Sequence, residues 1–536
     1  MFCRLKSATV LGVSSSIIDI EVDLKKGLPQ QSIVGLPDTA VKEAKERVNA
    51  AIRNSGYTFP LGQLTINLAP ADIKKEGSIF DLAIAIGALI VSEQVKIKKN
   101  VGDYIFLGEL ALDGYIRPIH GVLAILENAR EQGVHGIILP IDNYEEARLI
   151  PDMDIYPVRY LTEAVHIIAG TWEFRPADYE REKDLNNVIY TKIEKNNNER
   201  GRFSEKHSDD FSDVKGQNYA VRAIEIAISG GHNILMIGSP GSGKTMIALR
   251  IPTIIPEMIK EESIETTKIY SIAGLLAAGQ GLISSRPFRA PHHTASEVSI
   301  IGGGKNPIPG EITLAHNGVL FLDEFTEFKN NIIQSLRQPL ETGTVTIARA
   351  DTRITFPSLF MLVASMNPCP CGYLFDPERV CRCNSFQINK YYMKISGPIL
   401  DRIDIQVEVK PLKAAQMFEN SHSESSSVIK KRVNLTRKVQ QERLSKYGIN
   451  LNAFMSTELV KKYCYIGMEI KEILFTAVKK YKLSARSYNK ILKVSRTIAD
   501  MQCREKISKE DVLEALSFRE VENILYNKTP GPKIRQ

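Results

Sequence analysis

One glycine-rich motif constrains the fold of this 536-residue chain more than any other feature. An apolar stretch, 234–237, precedes the motif and a helical pattern follows it; the motif reads Gly238-Ser239-Pro240-Gly241-Ser242-Gly243-Lys244-Thr245. Glycines let successive backbone N–H groups turn toward an anion, and a helix start adds partial positive charge. All eight positions of the motif match, and the motif lies between a predicted strand and a predicted helix, which argues against a chance glycine turn. It predicts a nucleoside triphosphate site in which Lys244 reaches the β- and γ-phosphates and Thr245 binds Mg²⁺.

Bulk composition is that of an ordinary multidomain globular protein. The length exceeds what one hydrophobic core usually spans, so we expect two to four domains. The sequence has no apolar stretch of eighteen residues and no signal-peptide pattern at its start, which predicts a cytoplasmic protein without a membrane segment. A net charge of +7 permits contact with nucleic acid but does not require it. Seven cysteines in such a chain argue against a disulfide framework.

Polar segments divide the chain into three expected folded regions. Strand-like and helical runs mix in the first region, strands and helices alternate in the second, and the third has helical periodicity. The fold class predicted is α/β multidomain, with an α+β domain before a parallel-sheet αβα core and a helical C-terminal region. The expected boundaries are 1–172 for the first domain, 173–210 for a polar linker, 211–412 for the core, 413–427 for a second linker, 428–526 for the helical region and 527–536 for a disordered tail.

Two more apolar runs end in residues suited to hydrolysis. Asp323 and Glu324 follow the apolar run 318–322, and we expect Asp323 to hold Mg²⁺ while Glu324 polarises the attacking water. Asn367 ends the run 360–366. Alone, an asparagine at a strand end is more often a turn residue, but in this third position it could orient water and the γ-phosphate. The series favours hydrolysis over binding alone.

Two arginines stand in ordered strings further along the chain. Arg402 lies in Gly-Pro-Ile-Leu-Asp-Arg and Arg486 in Leu-Ser-Ala-Arg. Taken singly, each could be an ordinary surface residue. Together with the glycine motif, the Asp-Glu pair and Asn367, they resemble the AAA+ ATPases of the magnesium-chelatase-like group. Longer strings, Ala-Pro-His-His-Thr at 290–294 and Asn-Pro-Cys-Pro-Cys-Gly at 367–372, resemble the ComM/YifB family, and the resemblance runs from the first residues to about 515.

The resemblance implies a role for each matched residue. Asn367 is expected as sensor 1, Arg402 as an arginine finger inserted into a neighbour's nucleotide, and Arg486 as sensor 2 in a helical lid that completes the site. A finger that acts on a neighbour implies a homo-oligomeric ring, expected to hold six subunits. The expected cofactors are ATP and Mg²⁺. Among bacterial proteins, the ComM resemblance implies branch migration of recombination intermediates in natural transformation.

Basic residues in two insertions are candidates for DNA contact. Lys305 stands at the tip of a glycine-rich insertion, and Arg349 and Arg353 flank the turn of a predicted hairpin. In similar proteins these insertions project into a central pore, where the side chains would meet a phosphate backbone. The alternative is that the loops only pack between subunits. The helical stretch 430–446 holds seven Lys/Arg against one acid, which suits either a phosphate-facing surface or a solvated face.

Four cysteines form a compact pattern after Asn367. The pairs Cys369–Cys371 and Cys381–Cys383 are each of the form Cys-x-Cys and are separated by nine residues. Four thiolates at short range in a cytosolic protein suggest a tetrahedral zinc site that closes a loop. Reduced free thiols or a redox pair are the alternatives.

The first domain resembles the proteolytic domain of Lon proteases through Asn-Leu-Ala-Pro-Ala-Asp at 67–72 and Gly-Glu-Leu-Ala-Leu-Asp-Gly at 108–114. That family cuts peptides with a serine–lysine dyad. Ile79 aligns with the serine and Leu123 with the lysine, and Ser78 stands one position away. We therefore expect a scaffold without peptidase chemistry, with peptidase activity through Ser78 as the alternative.

The sequence as a whole favours an ATP-driven ring motor on DNA, of helicase or branch-migration type. The rival class is a protein-remodelling ATPase, such as a magnesium-chelatase motor subunit or an unfoldase. Unfoldases use an aromatic pore residue to grip polypeptide, and the insertion 288–312 offers no obvious one at its tip. ATPase stimulation by DNA discriminates between the two classes.

Overall fold

The computed structural model describes most of the chain; the described residues are 1–75, 77–172, 174–177, 179–180, 209–277, 279–304, 307–348, 353–376, 378–395, 397–411, 423–481 and 483–519. They divide into two units. Unit 1 takes residues up to 180 together with Lys260–Ser284, and unit 2 takes 209–259 and 285–519. Most of the predicted linkers, and the whole predicted tail, lie outside the described residues.

The strands are numbered in chain order through both units. They are β1 Phe2–Leu11, β2 Ser14–Lys25, β3 Gln30–Val34, β4 Gln63–Ala69, β5 Tyr104–Phe106, β6 Glu109–Leu110, β7 Ile116–Arg117, β8 Gly136–Pro140, β9 Asp154–Val158, β10 Ile234–Ile237, β11 Phe288–Arg289, β12 Gly302–Gly303, β13 Ile308–Pro309, β14 Val319–Leu322, β15 Thr344–Ala348, β16 Arg353–Pro357, β17 Met361–Met366 and β18 Ile405–Glu408.

The α-helices are numbered in the same way. They are α1 Thr39–Asn54, α2 Asp81–Val91, α3 Val122–Glu131, α4 Tyr144–Ala147, α5 Leu161–Ile168, α6 Asn218–Gly230, α7 Lys244–Leu249, α8 Ile251–Ile254, α9 Lys260–Ile272, α10 Glu297–Ile301, α11 Glu311–Leu314, α12 Asn330–Ser335, α13 Pro339–Thr342, α14 Ser385–Met393, α15 Gly397–Leu400, α16 Ser426–Leu444, α17 Thr457–Tyr463, α18 Met468–Tyr481, α19 Ala485–Met501 and α20 Lys509–Ser517. None of these helices is long and apolar enough to cross a lipid bilayer.

Unit 1 is an α+β domain, as the sequence predicted. Its sheet has the strand order β3-β4-β2-β1-β5-β8-β9. β2 pairs antiparallel with β1 and β4, and the remaining neighbours are parallel. α2 is buried along its whole length and packs against β1 and β2. Phe174 and Tyr179, from the start of the predicted linker, pack edge-on against Tyr144, so the domain extends past residue 172.

A helix from the middle of the chain returns to unit 1. α9 packs against α3, and Lys268 Nζ lies 2.5 Å from Glu127 Oε2. The backbone N–H of Gly121, just before α3, donates to Ser271 Oγ at 2.8 Å. The sequence pattern places α9 inside the second domain, and its polar composition gives no sign of this packing. Unit 1 is therefore discontinuous in sequence.

Unit 2 is built on a parallel sheet of strand order β11-β14-β17-β10-β18. Along β10, Ile234 and Met236 enter one hydrophobic core, whereas Leu235 and Ile237 enter the other. Side chains of a strand alternate between the two faces, so a fully apolar strand indicates that both faces are covered. The structure confirms the predicted parallel-sheet core.

The helical C-terminal region completes one of the two cores of unit 2. Ile429 and Val433 of α16 and Ile498 of α19 belong to the same cluster as Ala223 of α6. The backbone N–H of Gln406 in β18 donates to the carbonyl of Phe518 at 2.8 Å. The predicted helical region thus packs directly on the sheet side that carries α6.

Candidate functional site

The glycine motif forms a tight loop at the carboxyl end of β10. The Gly238 N–H donates to Met366 O at 3.2 Å, and a Cβ at Gly238 would lie 2.2 Å from Val409 O. No side chain fits there. Gly241 and Gly243 have φ values of +78° and +95°, which L-residues rarely adopt. These glycines allow the loop to turn directly into α7.

Lys244 begins α7 and lies over the loop. Its Nζ donates to the carbonyls of Gly238 and Ser239 at 2.7 and 3.0 Å and to Asn367 Oδ1 at 3.3 Å. Burial lowers the pKa of Lys244, and the nearby carboxylates Asp323 and Glu324 oppose that change. The ammonium is thus close to three oxygen acceptors, with two carboxylates nearby to balance its charge.

Thr245 and Asp323 supply oxygen donors at adjacent positions. Thr245 Oγ1 donates to Asp323 Oδ2 at 2.7 Å, and Ser365 Oγ donates to the other carboxylate oxygen. Hydroxyl and carboxylate oxygens are the ligands that Mg²⁺ prefers. The two residues fit a shared Mg²⁺ site, and Ser365 orients Asp323. Sequence reasoning missed Ser365, which lies inside the apolar strand β17.

Glu324 follows Asp323 in a left-handed backbone conformation with φ of +50°. Its side chain is 54% exposed, and its Oε2 lies 3.5 Å from Nδ1 of His293. His293 stacks on His292 with ring centroids 4.1 Å apart. His293 was not singled out as a site residue, although the Ala-Pro-His-His-Thr string was part of the family resemblance. It contacts the carboxylate expected to polarise water.

Asn367 follows β17 and accepts a hydrogen bond from Lys244. Its own carbonyl accepts from the hydroxyl of Tyr391 at 3.2 Å. β10, β14 and β17 are parallel neighbours, so Lys244, Asp323 and Asn367 all follow the carboxyl ends of adjacent strands. In open parallel sheets, ligands bind at this edge. The structure brings together Lys244 and Asn367 and likewise Thr245 and Asp323, with Glu324 directly after Asp323.

Arg402 and Arg486 lie elsewhere in unit 2. Arg402 stands just before β18, and its carbonyl accepts from Asn233, just before β10, at 3.1 Å. Both arginines pair with Glu341 of α13; Arg486 donates to Glu341 Oε1 at 2.5 Å. The two arginines thus lie at the amino ends of the strands. Since β10 has four residues at roughly 3.3 Å each, about 13 Å separates the two edges.

This arrangement does not meet the expectation that Arg486 completes the nucleotide site of its own chain. Arg486 is held with Arg402, and the glycine loop stands at the opposite edge of the sheet. The hydrogen bond from Arg402 lowers the pKa of Glu341, so this carboxylate is charged when it bridges the arginines. Glu341 was not foreseen from the sequence.

A cavity of about 590 Å³ opens beside the two arginines. It is also lined by Lys490, Lys493 and Asp404. Burial lowers the pKa of Lys490 to about 8, although Asp404 lies 2.8 Å away and opposes the change. Four cationic side chains therefore line the cavity against the two carboxylates Glu341 and Asp404, which suits an anionic group.

Comparisons with family profiles and with known proteins agree along the chain. Family profiles described as "Magnesium chelatase, subunit ChlI", "Subunit ChlI of Mg-chelatase" and "Magnesium chelatase, subunit ChlI C-terminal" match residues 210–417, 20–143 and 423–519. Competence protein ComM of Haemophilus influenzae is 39% identical over 528 residues, which is 97% of both chains. An uncharacterized protein, YifB of Escherichia coli, is 39% identical over 96% of both chains. The chain belongs to the ComM/YifB family.

More distant similarity extends beyond this family. DNA replication licensing factor Mcm6 of Anopheles gambiae is 23% identical over 298 residues, which cover 54% of this chain and 32% of that protein. Membership of the ComM/YifB family and the magnesium-chelatase profile confirm the AAA+ assignment and support ATPase activity.

Two hairpins stand where basic contacts were predicted. β12 and β13 form the first, and β15 and β16 form the second, in which Ala348 pairs with Arg353. Arg353 is exposed at the end of its strand. Lys305 and Arg349 lie outside the described residues. Arg353 is thus placed near the turn of its hairpin, as the sequence indicated.

Helix α16 uses its arginines for internal contacts. Arg432 Nε lies 2.5 Å from Glu225 Oε1, and Arg437 donates to the carbonyl of Ile228 at 2.7 Å. Arg443 donates to Asp500 Oδ1 at 2.8 Å. Three of the seven basic residues of 430–446 therefore hold α16 to its neighbours. A phosphate-facing surface on this segment would have to be formed by its lysines.

The four cysteines of the ComM/YifB chain come together as one cluster. Their sulfur atoms all lie within 4.8 Å of one another, and Cys369 Sγ is 3.3 Å from Cys371 Sγ and 3.6 Å from Cys381 Sγ. Tetrahedral zinc with Zn–S bonds of about 2.3 Å places its sulfurs about 3.8 Å apart. Burial works against ionisation of Cys371, yet backbone N–H groups of Tyr373 and Arg382 lower its pKa to about 6. The cluster fits one metal ion.

In unit 1, the positions aligned with a protease dyad are apolar. Leu123 is fully buried, and Ile79 packs against the same hydrophobic cluster. The hydroxyl of Ser78 donates to Glu109, and the buried Nζ of Lys75 donates to the carbonyl of Pro70. The described structure therefore pairs Ser78 with a carboxylate.

Proposed function

We propose that this ComM/YifB-family chain is an ATP-hydrolysing motor that assembles into a ring of six copies and acts on DNA. Its most specific role would be helicase-type branch migration of recombination intermediates in natural transformation. The observation that carries the proposal is the placement of a complete hydrolytic set at one sheet edge and of two arginines at the other. The relative named a competence protein supports the DNA role.

Each residue at the carboxyl edge has a distinct task in hydrolysis. The loop N–H groups and Lys244 bind the phosphates, and Thr245 and Asp323 would hold Mg²⁺, which neutralises phosphate charge. Glu324 is exposed enough to accept a proton from water, and His293 Nδ1 lies 3.5 Å from its carboxylate. Asn367 has its backbone carbonyl fixed by Tyr391 and its amide oxygen close to Lys244, and its side-chain NH2 group would orient the γ-phosphate and water.

The amino edge supports a ring. Arg402 and Arg486 are on the opposite edge from the chain's own glycine loop, so a neighbouring copy is the partner whose nucleotide they would reach. Repeated head-to-tail contacts of this kind form a closed ring when the rotation from one copy to the next divides a full turn evenly. The cationic cavity next to the arginines would receive the neighbour's phosphates.

DNA would contact the two hairpins through Lys305, Arg349 and Arg353. The exposed position of Arg353 supports this, since cationic side chains at hairpin turns suit a phosphate backbone. Such contacts position the strand without reading its sequence.

The test measures ATPase rate with and without single-stranded and branched DNA across a range of salt concentrations. We expect DNA to stimulate turnover. The stimulation should weaken as the salt concentration rises, because the release of counterions from DNA then gains less entropy. The magnesium-chelatase profile favours the rival, a protein-remodelling ATPase. No response to any DNA, with stimulation by a protein partner, would support that rival and contradict the motor on DNA.

Unit 1 would serve as a scaffold without peptidase activity. The apolar pair Ile79 and Leu123 cannot supply a nucleophile or a base, and Ser78 pairs with Glu109. Ser78→Ala should leave every activity of the purified protein unchanged. Loss of a peptide-cleaving activity in this variant, measured with an unfolded protein substrate, would show that the scaffold assignment is wrong.

The four-cysteine cluster would hold zinc. Its sulfur distances suit a tetrahedral ion, and a site of four thiolates without an open position is typical of structural zinc. Metal analysis of protein purified without chelator should find about one zinc per chain.

A further inference from the structure

The four-cysteine loop forms part of the wall of the nucleotide site. Cys369 stands two residues after Asn367, and both it and Pro368 are buried. Gly372 has a φ of +84°, and a Cβ there would lie 2.5 Å from Cδ of Pro240. The cysteine loop therefore touches the glycine loop through backbone at one point and continues directly from the sensor asparagine at another.

A helix leads from the last cysteine back to the same place. α14 begins just after Cys383, with Asn384 as its N-cap in a reciprocal capping box with Gln387. Near its other end, Tyr391 donates to Asn367 O at 3.2 Å, and Tyr392 donates to Pro368 O. Two successive tyrosines thus hold two successive carbonyls that precede Cys369.

The same tyrosine reaches the segment after Glu324. Thr326, two residues beyond Glu324, donates its hydroxyl to the Tyr391 hydroxyl at 2.6 Å. Lys394, just past the end of α14, donates to the carbonyl of Thr326 at 2.9 Å. One hydroxyl and one ammonium group therefore connect α14 to both strand ends that supply the hydrolytic residues.

We propose that the metal held by Cys369, Cys371, Cys381 and Cys383 sets the hydrolytic geometry of the nucleotide site, so that turnover requires this second metal as well as Mg²⁺. The inference rests on the zinc assignment proposed above. The metal joins the chain just after Asn367 to the chain just before α14, and the tyrosines of α14 fix the carbonyls of Asn367 and Pro368. Without the metal, the loop that these cysteines close would keep the tyrosine hydrogen bonds and the packing of Gly372 against Pro240 but would lose the bonds that join its two ends through sulfur.

The coupling makes a specific kinetic prediction. Asn367 acts on hydrolysis, so loss of the metal should lower kcat. Pro240 belongs to the phosphate loop and touches Gly372 by packing alone, so the KM for ATP should change less. Tyr391 is a positioning residue in this scheme, because it acts through Asn367 and does not itself reach the phosphates.

The experiment compares zinc content and steady-state ATPase of the full chain in three variants, without DNA. Cys381→Ser removes a ligand, and we expect loss of zinc and a fall in kcat of about tenfold or more. Tyr391→Phe removes only the hydroxyl; it should keep zinc and KM while kcat falls a few-fold, by about the worth of one hydrogen bond. Cys503→Ser is the matched control, since Cys503 is an exposed free cysteine outside the cluster, and it should keep both zinc and kcat.

The outcomes separate the two layers of the inference. Zinc lost from Cys381→Ser with kcat unchanged would overturn the coupling and leave the zinc assignment intact. Wild-type protein purified without chelator that is fully active with Mg²⁺ but holds no zinc or other metal at the cysteines would overturn the assignment itself. Should Cys381→Ser fail to fold, wild-type protein is stripped with a zinc-selective chelator in excess Mg²⁺ and reloaded with zinc alone. Return of kcat supports the proposal, and unchanged kcat after stripping contradicts it.

Discussion

The carboxyl edge of the five-stranded sheet in unit 2 carries Lys244, Asp323 and Asn367, whereas the amino edge carries Arg402 and Arg486. At the carboxyl edge, the polar groups contact each other in a set that can bind phosphate and Mg²⁺. At the amino edge, two cations are bridged by Glu341. The difference teaches that the two edges have different chemistry: opposite charges meet at the carboxyl edge, whereas at the amino edge Glu341 offsets only part of the charge of the two arginines.

The largest effect is expected from Arg402→Ala. In its proposed role Arg402 would stabilise transition-state charge, so this variant should lower ATPase turnover by about 10³-fold or more, while ATP binding and assembly of the proposed ring persist. Steady-state ATPase, nucleotide binding and size-exclusion chromatography measure the three properties.

Mixing variants then decides whether the two edges belong to one site across neighbours. Glu324→Gln, which removes the expected base, should also be inactive alone. In an equal mixture with Arg402→Ala, roughly one interface in four joins an intact Glu324 to an intact Arg402 by random pairing. Activity should therefore return on mixing. A mixture as inactive as its components would show that the two edges do not form one site across neighbouring copies.

A smaller loss is expected from Arg486→Ala. The lost group makes charge-assisted hydrogen bonds, so turnover should fall by about 10- to 100-fold. Mixed with Glu324→Gln, this variant should also regain activity if Arg486 serves the neighbour. Activity could return when Glu324→Gln is mixed with Arg402→Ala but not when it is mixed with Arg486→Ala. That result would show that Arg486 serves the nucleotide of its own chain, and thus that α19 moves to the other edge of the sheet in the proposed ring.

The smallest effect is expected from Glu341→Gln. The side chain is 46% exposed, and the amide oxygen still accepts a hydrogen bond, so turnover should change by about fivefold or less, with KM for ATP unchanged. Glu458→Gln, an exposed glutamate at the start of α17, is the control and should match wild type. A loss as large as that of Arg402→Ala would mean that Glu341 itself contacts the reacting groups.

The carboxyl edge could be predicted from the sequence because its residues stand at the ends of apolar runs in a fixed order. Parallel strands place such ends side by side, so the series Lys244, Asp323 and Asn367 follows from local pattern. The amino edge could not be predicted in this way. Glu341 meets partners 61 and 145 positions away, and no local pattern encodes an ion pair of that separation.

The same limit applies to charged helices. The basic run 430–446 was open to two interpretations because sequence shows charge but not direction. The partners of Arg432, Arg437 and Arg443 come from α6 and α19, far away in the chain. The return of α9 to unit 1 also depends on tertiary packing, since its polar pattern suits either unit.

The return of α9 to unit 1 limits how the chain can be divided into fragments. The backbone passes between the two units three times: between residues 180 and 209, after Ile259 and after Ser284. A truncation that removes only the first 205 residues would leave α9 without the α3 surface on which it packs. Expression of unit 2 alone would require a short bridge in place of Lys260–Ser284. After a single proteolytic cut in the polar linker, only this segment of unit 1 would remain covalently joined to unit 2, and residues 1–180 would be held to it by packing alone.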